Sequence, residues 1–481
     1  MTLILQLYVA RWWLLSIVLG FFVMIKYQKY RRLQAFPGPF STGWSELWHA
    51  RTVMSNHCHL KYKEVNDNYG RIARIGPNEL ITSSPELLVH MSSVRSAYTR
   101  STWYNSATRV RPGKDHLFSE LDEAKHTKRR QQMAPGYSGK ENLALEADID
   151  ARVQELMGLI RTRYLSTAGR SSPVDIGKKV QYFTLDVISA VGFGEPIGDL
   201  KADADLNDYL KAVEEGLTMM ALSGALGLTR FLQQPIFSRL LGPKETDKGG
   251  MGRMIEDLLT ESLLQIVAGS DTTATSIRST MLYLITHPQV YMKLRMEIDD
   301  AVTSGKVNVT AGIVSDVTLK TLPYLQAVVR EGLRIHPPVT NVAPKKVPQG
   351  GDTVVIDGKR FFLPGGTDIS YSVWSVHHDR EMFGEDADYF RPERWLLDEE
   401  NHRERLNAMR RTTELIFGYG KYQCLGKPIA WMEITKVLFE FIRHFDWALA
   451  APEKPWKSLN YFGLFMQNEM WVTVTERNHL L

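Results

Sequence analysis

Cysteine is scarce in this chain, which has only Cys58 and Cys424 among its 481 residues. Two cysteines can form at most one disulfide bond, so a fold built on a disulfide scaffold is not expected. The low count fits a body that faces a reducing compartment. Because 44% of the residues are hydrophobic and 23% are charged, the chain has ample apolar side chains for one large core.

Long basic runs and nucleotide-binding glycine loops are also lacking. The net charge is only +4, and the basic residues form no long block, so nucleic acid is not an expected partner. No glycine-rich phosphate or dinucleotide motif stands between a strand and a helix. The chain is therefore expected to bind no flavin or nicotinamide of its own. It also contains no internal repeat.

One stretch, Leu3 to Ile25, is apolar enough to suggest a membrane segment. As a helix of roughly 23 residues it would measure about 34 Å, enough to cross a bilayer core. Four basic residues follow between positions 26 and 32, and the positive-inside rule then predicts a cytosolic body. An uncleaved anchor is favoured over a signal peptide, because a basic start and a clear cleavage site are missing. Arg11 leaves open a helix that lies in the membrane interface.

The Phe-Pro-Gly-Pro segment at 36–39 ends this helix and predicts a boundary between an anchor, residues 1–35, and one body, residues 36–481. Within the body, short β-strands and longer helices are expected. The predicted helices cover most of 141–242, about 253–286, and 322–335. The predicted strands cover 72–81 around a turn, 354–356, 361–363, 368–371 and 471–475, with a hairpin tip at 461–465. Residues 96–118 are predicted to form a loop.

The stretch from Phe417 to Gly426 carries the strongest chemical signal. Cys424 lies there among glycines, just before an apolar helical run whose first turn suits Pro428. A helix N-terminus favours a thiolate, and the glycines allow a tight turn and the approach of a flat ligand. A thiolate held in this way can ligate haem iron. A lone cysteine beside a helix is more often a small buried hydrophobe.

This stretch resembles the haem-binding signature of the cytochrome P-450 family of haem-thiolate monooxygenases. Phe417, Gly420, Cys424 and Gly426 stand at the signature's positions, and the resemblance implies that Cys424 ligates the iron of haem b. Tyr422 stands where the family has an arginine that pairs with a haem propionate. Lys421 or the Tyr422 hydroxyl could take over that contact, and the sequence leaves the choice open.

His126 and Arg130 are four residues apart and share one face of a predicted helix. The ordinary interpretation of such a basic stretch is a solvated surface. The resemblance is more specific, because family members bond the haem propionates with a tryptophan or histidine and with an arginine four residues later. Two propionates need buried cationic or donor partners.

The predicted helix over 253–286 contains Gly269, Asp271 and Thr272 within the sequence VAGSDTTAT. A mid-helix glycine costs about 1 kcal/mol relative to alanine, and a groove for a bound diatomic molecule would explain it. In isolation, the serines and threonines are best interpreted as bonding back to their own helix. The stretch matches the family's oxygen-activation motif, which implies that Thr272 hydrogen-bonds dioxygen and that Asp271 relays protons.

Glu331 and Arg334, three residues apart, share a helix face. A surface pair of this kind contributes little to stability. The sequence EGLRIHPP resembles the Glu-x-x-Arg helix of the family, and Arg394 would complete a buried Glu–Arg–Arg network that supports folding and haem retention. Trp395 stands where the family signature has phenylalanine.

These motifs occur in the family's order from about residue 65 to the end of the chain. The resemblance implies a mainly helical fold with a small β region, preceded by the N-terminal transmembrane helix. It also implies that 200–241 form a mobile lid with a short link at 242–251, and that 339–342 pass near the haem.

The implied activity uses O2 and electrons from an NADPH-dependent flavoprotein reductase to oxidise a small lipophilic substrate. The closest resemblance is to fungal microsomal pisatin-demethylase-like members, which implies secondary metabolism of a terpenoid, polyketide or indole-type compound at the endoplasmic reticulum membrane. Lys421, Lys427 and Lys436 could receive the reductase's acidic surface, or could be ordinary solvated charges. A haem-thiolate isomerase and a haem sensor or carrier are the alternatives, and the Asp271–Thr272 pair argues against both.

Overall fold

The computed structural model describes residues 2–109, 114–139, 142–226, 228, 234, 260–310, 312–461 and 463–477. The second part of the expected lid, its link at 242–251 and the start of the helix predicted from 253 lie outside the described residues. In chain order the α-helices are α1 (Thr2–Arg32), α2 (Leu47–Met54), α3 (Cys58–Tyr69), α4 (Pro85–Ser92), α5 (Trp103–Thr108), α6 (Glu123–Tyr137), α7 (Leu145–Leu159), α8 (Ile176–Phe193), α9 (Asp199–Ala202), α10 (Tyr209–Ala225), α11 (Thr260–Thr286), α12 (Pro288–Thr303), α13 (Asp316–Leu319), α14 (Pro323–Ile335), α15 (Val373–His377), α16 (Arg380–Phe383), α17 (Glu399–Glu414) and α18 (Lys427–His444).

The strands are short and form small sheets, as the sequence predicts. A five-stranded sheet has the order β1-β2-β8-β5-β3, in which β2 and β8 are parallel. Separate sheets have the orders β4-β12-β9, β10-β11 and β6-β7. The strands are β1 (Ile72–Gly76), β2 (Glu79–Thr82), β3 (Thr99–Arg100), β4 (Val174–Asp175), β5 (Asn341–Lys346), β6 (Asp352–Ile356), β7 (Lys359–Leu363), β8 (Asp368–Ser372), β9 (Phe445–Leu449), β10 (Lys457–Tyr461), β11 (Leu464–Asn468) and β12 (Trp471–Glu476).

The largest apolar core lies between α7, α8, α11, α12, α14 and α18, and its members include Phe183, Ile277, Val328 and Phe439, all fully buried. The prediction of a loop over 96–118 is wrong in part, because β3 and α5 lie within it. The helix forms there because Tyr104 is buried and its ring packs against Phe118 at 4.9 Å between centroids.

The C-terminal end of α1 is held against the body. Arg74, on β1, donates from its guanidinium to the carbonyls of Lys29 and Tyr30 at 3.1 and 3.0 Å. Leu33 is fully buried beside the sheet. Further towards the N-terminus, large apolar side chains of α1 are exposed. In the described part of the chain, no helix combines the length and the apolar character needed to cross a membrane.

A buried ion network joins α14 to the turn Pro392–Trp395, and all three of its charged residues are at most 2% exposed. Glu331 accepts from Arg334 at 2.7 and 2.9 Å and from Arg394 at 3.0 Å. The remaining N–H groups of Arg334 donate to backbone carbonyls of three other residues. Trp395 donates its indole N–H to Glu331 at 2.9 Å. Because every charge has partners, the network can be tolerated in the core.

We predict that Trp395→Phe lowers the free energy of unfolding by about 1–3 kcal/mol, since it leaves a lone pair of a buried carboxylate without its donor. Trp431→Phe is the matched control, because Trp431 donates at 2.9 Å to the neutral Gln326 in a partly buried place. That variant should lose only about 0.5–1.5 kcal/mol. Denaturant unfolding measures both values, and equal losses would contradict the role given to Trp395.

Candidate active site

The loop before α18 presents Cys424 in a tight, strained conformation. Gly418 and Gly420 have φ values of +71° and +59°, which side chains rarely adopt. A Cβ at position 420 would also come within 2.3 Å of the Ser92 carbonyl oxygen. The Cys424 amide donates back to the Phe417 carbonyl at 2.6 Å, closing the loop. Both glycines are therefore required for this backbone path, and Gly426 is the residue just before α18.

The Cys424 side chain is exposed to solvent. Burial raises the pKa of its thiol above the ordinary value. The backbone N–H groups of Gly426 and Lys427 donate to the sulfur and act in the opposite direction, as does the charge of Arg130. The sulfur thus has donors in place for a thiolate, and a coordinated cation would remove the remaining proton.

One face of α11 is also open, although the helix runs through the core. Ala268 is exposed and Thr272, one turn later, is partly exposed. The Thr272 hydroxyl donates to the Ala268 carbonyl at 2.8 Å, the local bonding that threonine often makes in helices. Gly269 does not open a groove. A Cβ there would come within 2.8 Å of the Ile188 side chain, so the glycine lets α8 and α11 approach closely.

Asp271 lies on the same helix next to Thr272, but its side chain bonds to residues of α8 and α10. Its carboxylate accepts from the Gln181 amide at 2.9 Å and from the Tyr209 hydroxyl at 3.0 Å. Burial raises the pKa of Asp271 to about 6, against the lowering effect of Tyr209, Arg278 and Gln181. Asp271 and Thr272, the expected proton-relay partners, are therefore adjacent in sequence but bonded differently. Asp271 bonds to side chains of α8 and α10, and Thr272 bonds to a carbonyl of its own helix.

His126, on α6, is buried and contacts an arginine that the sequence interpretation did not include. Its Nε2 lies 2.7 Å from the Arg100 guanidinium. Because arginine can only donate, Nε2 accepts and the histidine proton is on Nδ1. Burial and then the charge of Arg100 lower the pKa of His126 to about 3, so the ring is neutral. Burial lowers the pKa of Arg130 below its ordinary value, and the nearby Cys424 acts in the opposite direction.

The ring of Tyr422 contacts a group of buried nitrogen donors, called here the cationic cluster, which consists of Arg100, Lys345 and the neutral His126. The Lys345 Nζ lies 3.1 Å from the centroid of the Tyr422 ring, and the Arg100 guanidinium lies 4.9 Å from it. Burial, followed by the charge of Arg100, lowers the pKa of Lys345 far below its ordinary value.

The two substitutes considered for the missing arginine are both engaged elsewhere. The Tyr422 hydroxyl donates to Glu123, and the Lys421 Nζ lies 3.1 Å from the same carboxylate. These contacts, with Arg100 also nearby, hold the pKa of Glu123 below its ordinary value although burial raises it. Neither residue is therefore the unpaired donor that the signature's arginine would have supplied.

Within the described residues, three buried donors of the cationic cluster have no acceptor: Lys345 Nζ, Arg100 Nε and His126 Nδ1. Buried donors without acceptors are costly, and a ligand with anionic oxygens would satisfy them. Arg130 is close to both Arg100 and Cys424, so the donors and the thiol belong to one region. A haem has an iron for a thiolate and two carboxylates for such donors, so the residues present fit this group.

Sequence reasoning missed Lys345 and Arg100. Lys345 lies on β5, and a lysine in a short strand carries no signal of which face it occupies. Arg100 lies in the stretch predicted as a loop. Both become recognisable only when the fold brings them to α6 and to Tyr422.

Lys436 was expected to be a candidate for receiving a partner's acidic surface, and this expectation is wrong. Its Nζ is fully buried and contacts Glu146 at 2.8 Å, Asp150 at 2.6 Å and the Val314 carbonyl at 2.9 Å. The cause is that α18 packs with this face against α7. Lys427 is partly exposed and paired with Glu414 at 3.0 Å.

Comparison with known proteins agrees with this geometry. Residues 37–242 and 228–471 match the family model described as Cytochrome P450. Cytochrome P450 monooxygenase ABA1 of Pyricularia oryzae is 39% identical, over 93% of each chain. The aba1 monooxygenase of Botryotinia fuckeliana is 37% identical, over 92% of each chain. Pisatin demethylase of Fusarium vanettenii is 28% identical, over 89% of this chain and 86% of its own.

Among solved structures, a mutant haem domain of cytochrome P450DA superposes with a TM-score of 0.68 at 18% sequence identity, covering 92% of this chain and 97% of its own. At that identity the likeness shows the fold alone, which is mainly helical with small sheets. The fold, the family match and the curated relatives confirm the resemblance stated from the motifs. The chain belongs to the cytochrome P450 family of haem-thiolate monooxygenases and is an oxidoreductase of that kind.

Proposed function

We propose that this protein oxidises a small lipophilic molecule with O2, using haem b held by Cys424 and electrons from an NADPH-dependent flavoprotein reductase. The observation that carries the proposal is the accessible Cys424 sulfur, which receives two backbone N–H groups at the start of α18. Bound haem would supply the iron centre for oxygen activation. Phe417, Gly420 and Gly426 shape the loop that presents the sulfur.

Asp271 and Thr272 are proposed to move protons during the reaction. Thr272 presents a hydroxyl on the open face of α11, where it can release the Ala268 carbonyl and bond to a ligand. Asp271 has a pKa of about 6, so it can both hold and release a proton near neutral pH. The Glu331, Arg334 and Arg394 network is proposed to support folding and haem retention and to take no part in the chemistry.

The similarity to cytochrome P450 monooxygenase ABA1 of Pyricularia oryzae and to pisatin demethylase of Fusarium vanettenii supports a proposed role of this chain in fungal secondary metabolism. A terpenoid, polyketide or indole-type compound is the substrate class that we propose.

We further propose that α1 attaches residues 36–481 to the cytosolic face of the endoplasmic reticulum membrane. Support comes from the exposed apolar side chains of α1, which include Trp12, Trp13, Leu15, Val18 and Phe22. Basic residues in its last turn follow them. Arg74 holds the C-terminal end of α1 against the body.

Deletion of residues 2–25 should release the protein from microsomes, because it removes the apolar surface and leaves the anchored end of α1 in place. Alkaline carbonate extraction of the full chain separates the alternatives. A spanning anchor stays in the pellet, whereas an interfacial helix is released. A full chain that is soluble before extraction would contradict membrane attachment.

We predict that the reduced protein with carbon monoxide shows the red-shifted Soret band of thiolate-ligated haem, and that Cys424→Ser abolishes it. Cys58→Ser is the matched control. Cys58 is buried with its sulfur 2.8 Å from the Asn460 side chain, and serine can keep that bond. The control should retain the band. A band at the histidine-ligated or thiol-ligated position in the native protein, or no band, would contradict the assignment.

The propionates of the haem are proposed to lie against Arg100, His126, Arg130 and Lys345, with Lys345 taking the place of the signature's arginine. We assign this role to Lys345 and not to Lys421 or Tyr422, because both of those residues contact Glu123. The proposal accounts for three buried donors that otherwise have no acceptor.

Lys345→Met should weaken haem retention by roughly 10- to 100-fold, the loss expected for one charge-assisted hydrogen bond. Transfer of haem to apomyoglobin measures this. The same variant should raise the melting temperature of the haem-free protein, because it removes an unpaired buried amine. Tyr422→Arg should restore retention in the Lys345→Met background by returning a cation to the cluster. Lys421→Met, the control, should have little effect, and a larger loss there than at Lys345 would reverse the assignment.

A further inference from the structure

A closed circuit of hydrogen bonds joins three helices around Asp271. Gln181, on α8, donates to Asp271 at 2.9 Å and lies 3.2 Å from the Ser270 hydroxyl. Tyr209, on α10, lies 3.0 Å from Asp271 and 3.1 Å from the same serine hydroxyl. The Gln181 carbonyl oxygen accepts from Arg278 at 2.5 Å. Each polar atom of this circuit therefore has a partner.

The two arms of the circuit differ in freedom. The Gln181 arm is fixed, because the Arg278 guanidinium holds its carbonyl and also donates to the Gly177 carbonyl at 2.9 Å. The Tyr209 arm is a single hydroxyl, which can rotate. Tyr209 is 1% exposed, and a tyrosine buried so completely in a helix contact needs a partner for its hydroxyl.

The hydroxyl of Tyr209 has two arrangements that keep its contact with Asp271. When Asp271 is ionised, Tyr209 donates to the carboxylate and accepts from Ser270. When Asp271 is protonated, the acid can donate to the Tyr209 oxygen, and Tyr209 then donates to Ser270, which no longer donates to Tyr209. Tyr209 therefore contacts Asp271 in both protonation states, and the ionised state is the one in which the Ser270 hydroxyl keeps Tyr209 as its acceptor.

We propose that Tyr209 is a positioning residue for Asp271, which holds the carboxylate between α10 and α11 and couples proton release at the cavity to the contact between these helices. The inference rests on the proposed function, in which Asp271 moves protons. It adds a residue on α10 that does not touch the cavity chemistry but controls the acid that does.

The electrostatic surroundings support this role. Burial raises the pKa of Asp271, whereas the Tyr209 hydrogen bond is the largest influence that lowers it, followed by Arg278 and Gln181. Asp205 is the other charged group near Tyr209, and Asp175 is the one near Arg278. Removing the hydroxyl takes a donor from the carboxylate, so the protonated form of Asp271 should persist to higher pH.

The test is an infrared titration of the carboxyl stretch of Asp271 in ferric protein with carbon-13-labelled aspartate, without substrate. The band is identified by its loss in Asp271→Asn. In the native protein its midpoint should lie near pH 6. Tyr209→Phe should raise the midpoint by about one pH unit, the effect of losing one hydrogen bond to a carboxylate. The pH profile of product formed per NADPH should move in the same direction.

Tyr164→Phe is the matched control, because the Tyr164 hydroxyl donates to the carboxylate of Asp203 at 2.6 Å, away from α11. Tyr164→Phe should leave the Asp271 midpoint unchanged.

If Tyr209→Phe also leaves the Asp271 midpoint unchanged, the inference is overturned. If Tyr209→Phe fails to fold, the inference is tested on the native protein instead. In the same infrared titration, ionisation of Asp271 should shift a tyrosine band, and that band should stay constant in Asp271→Asn. The absence of such a shift in the native protein would overturn the inference. A missing thiolate–haem spectrum with a normal midpoint shift would refute the proposed function and not this circuit.

Discussion

Buried cations need oxygen partners, and this requirement shapes both the support of the site and the site itself. In the support, Arg334 and Arg394 bond to Glu331 and to backbone carbonyls. In the cationic cluster, Lys345 and Arg100 are also buried but keep donors without acceptors among the described residues. The desolvation cost is the same in kind for both. What differs is whether the chain supplies the acceptors, and this difference separates a structural network from a ligand site.

The helix α11 shows how a motif can hold two kinds of bonding at once. Thr272, Ser276 and Thr280 each donate to the carbonyl four residues earlier, at 2.8, 2.9 and 2.7 Å. This row is the local bonding expected for such residues in any core helix. Asp271 departs from it, because its carboxylate is bonded by side chains of α8 and α10. The part of the motif tied to the rest of the fold is therefore the acid, while the alcohol depends on its own helix alone.

Local signals predicted much of the fold. The turn at 76–78 and the alternation around it predicted β1 and β2, and Pro428 with the preceding glycines predicted the start of α18. These features depend on residues close together in sequence. The burial of Lys436, the reason for Gly269 and the helix α5 were not predictable in this way. Each depends on a contact with a distant residue, such as Glu146 for Lys436 and Ile188 for Gly269.

Tyr422 is a further case in which the sequence alone does not show the contacts with distant residues. From the sequence, tyrosine in place of the signature's arginine means only the loss of one buried cation. In the fold, the ring of Tyr422 faces Lys345 and Arg100, and aromatic faces attract cations. Its hydroxyl and Lys421 both bind the carboxylate of Glu123. With Glu123 engaged in this way, Lys345 Nζ and Arg100 Nε have no acceptor among the described residues, so these donors remain available for the carboxylates of a ligand.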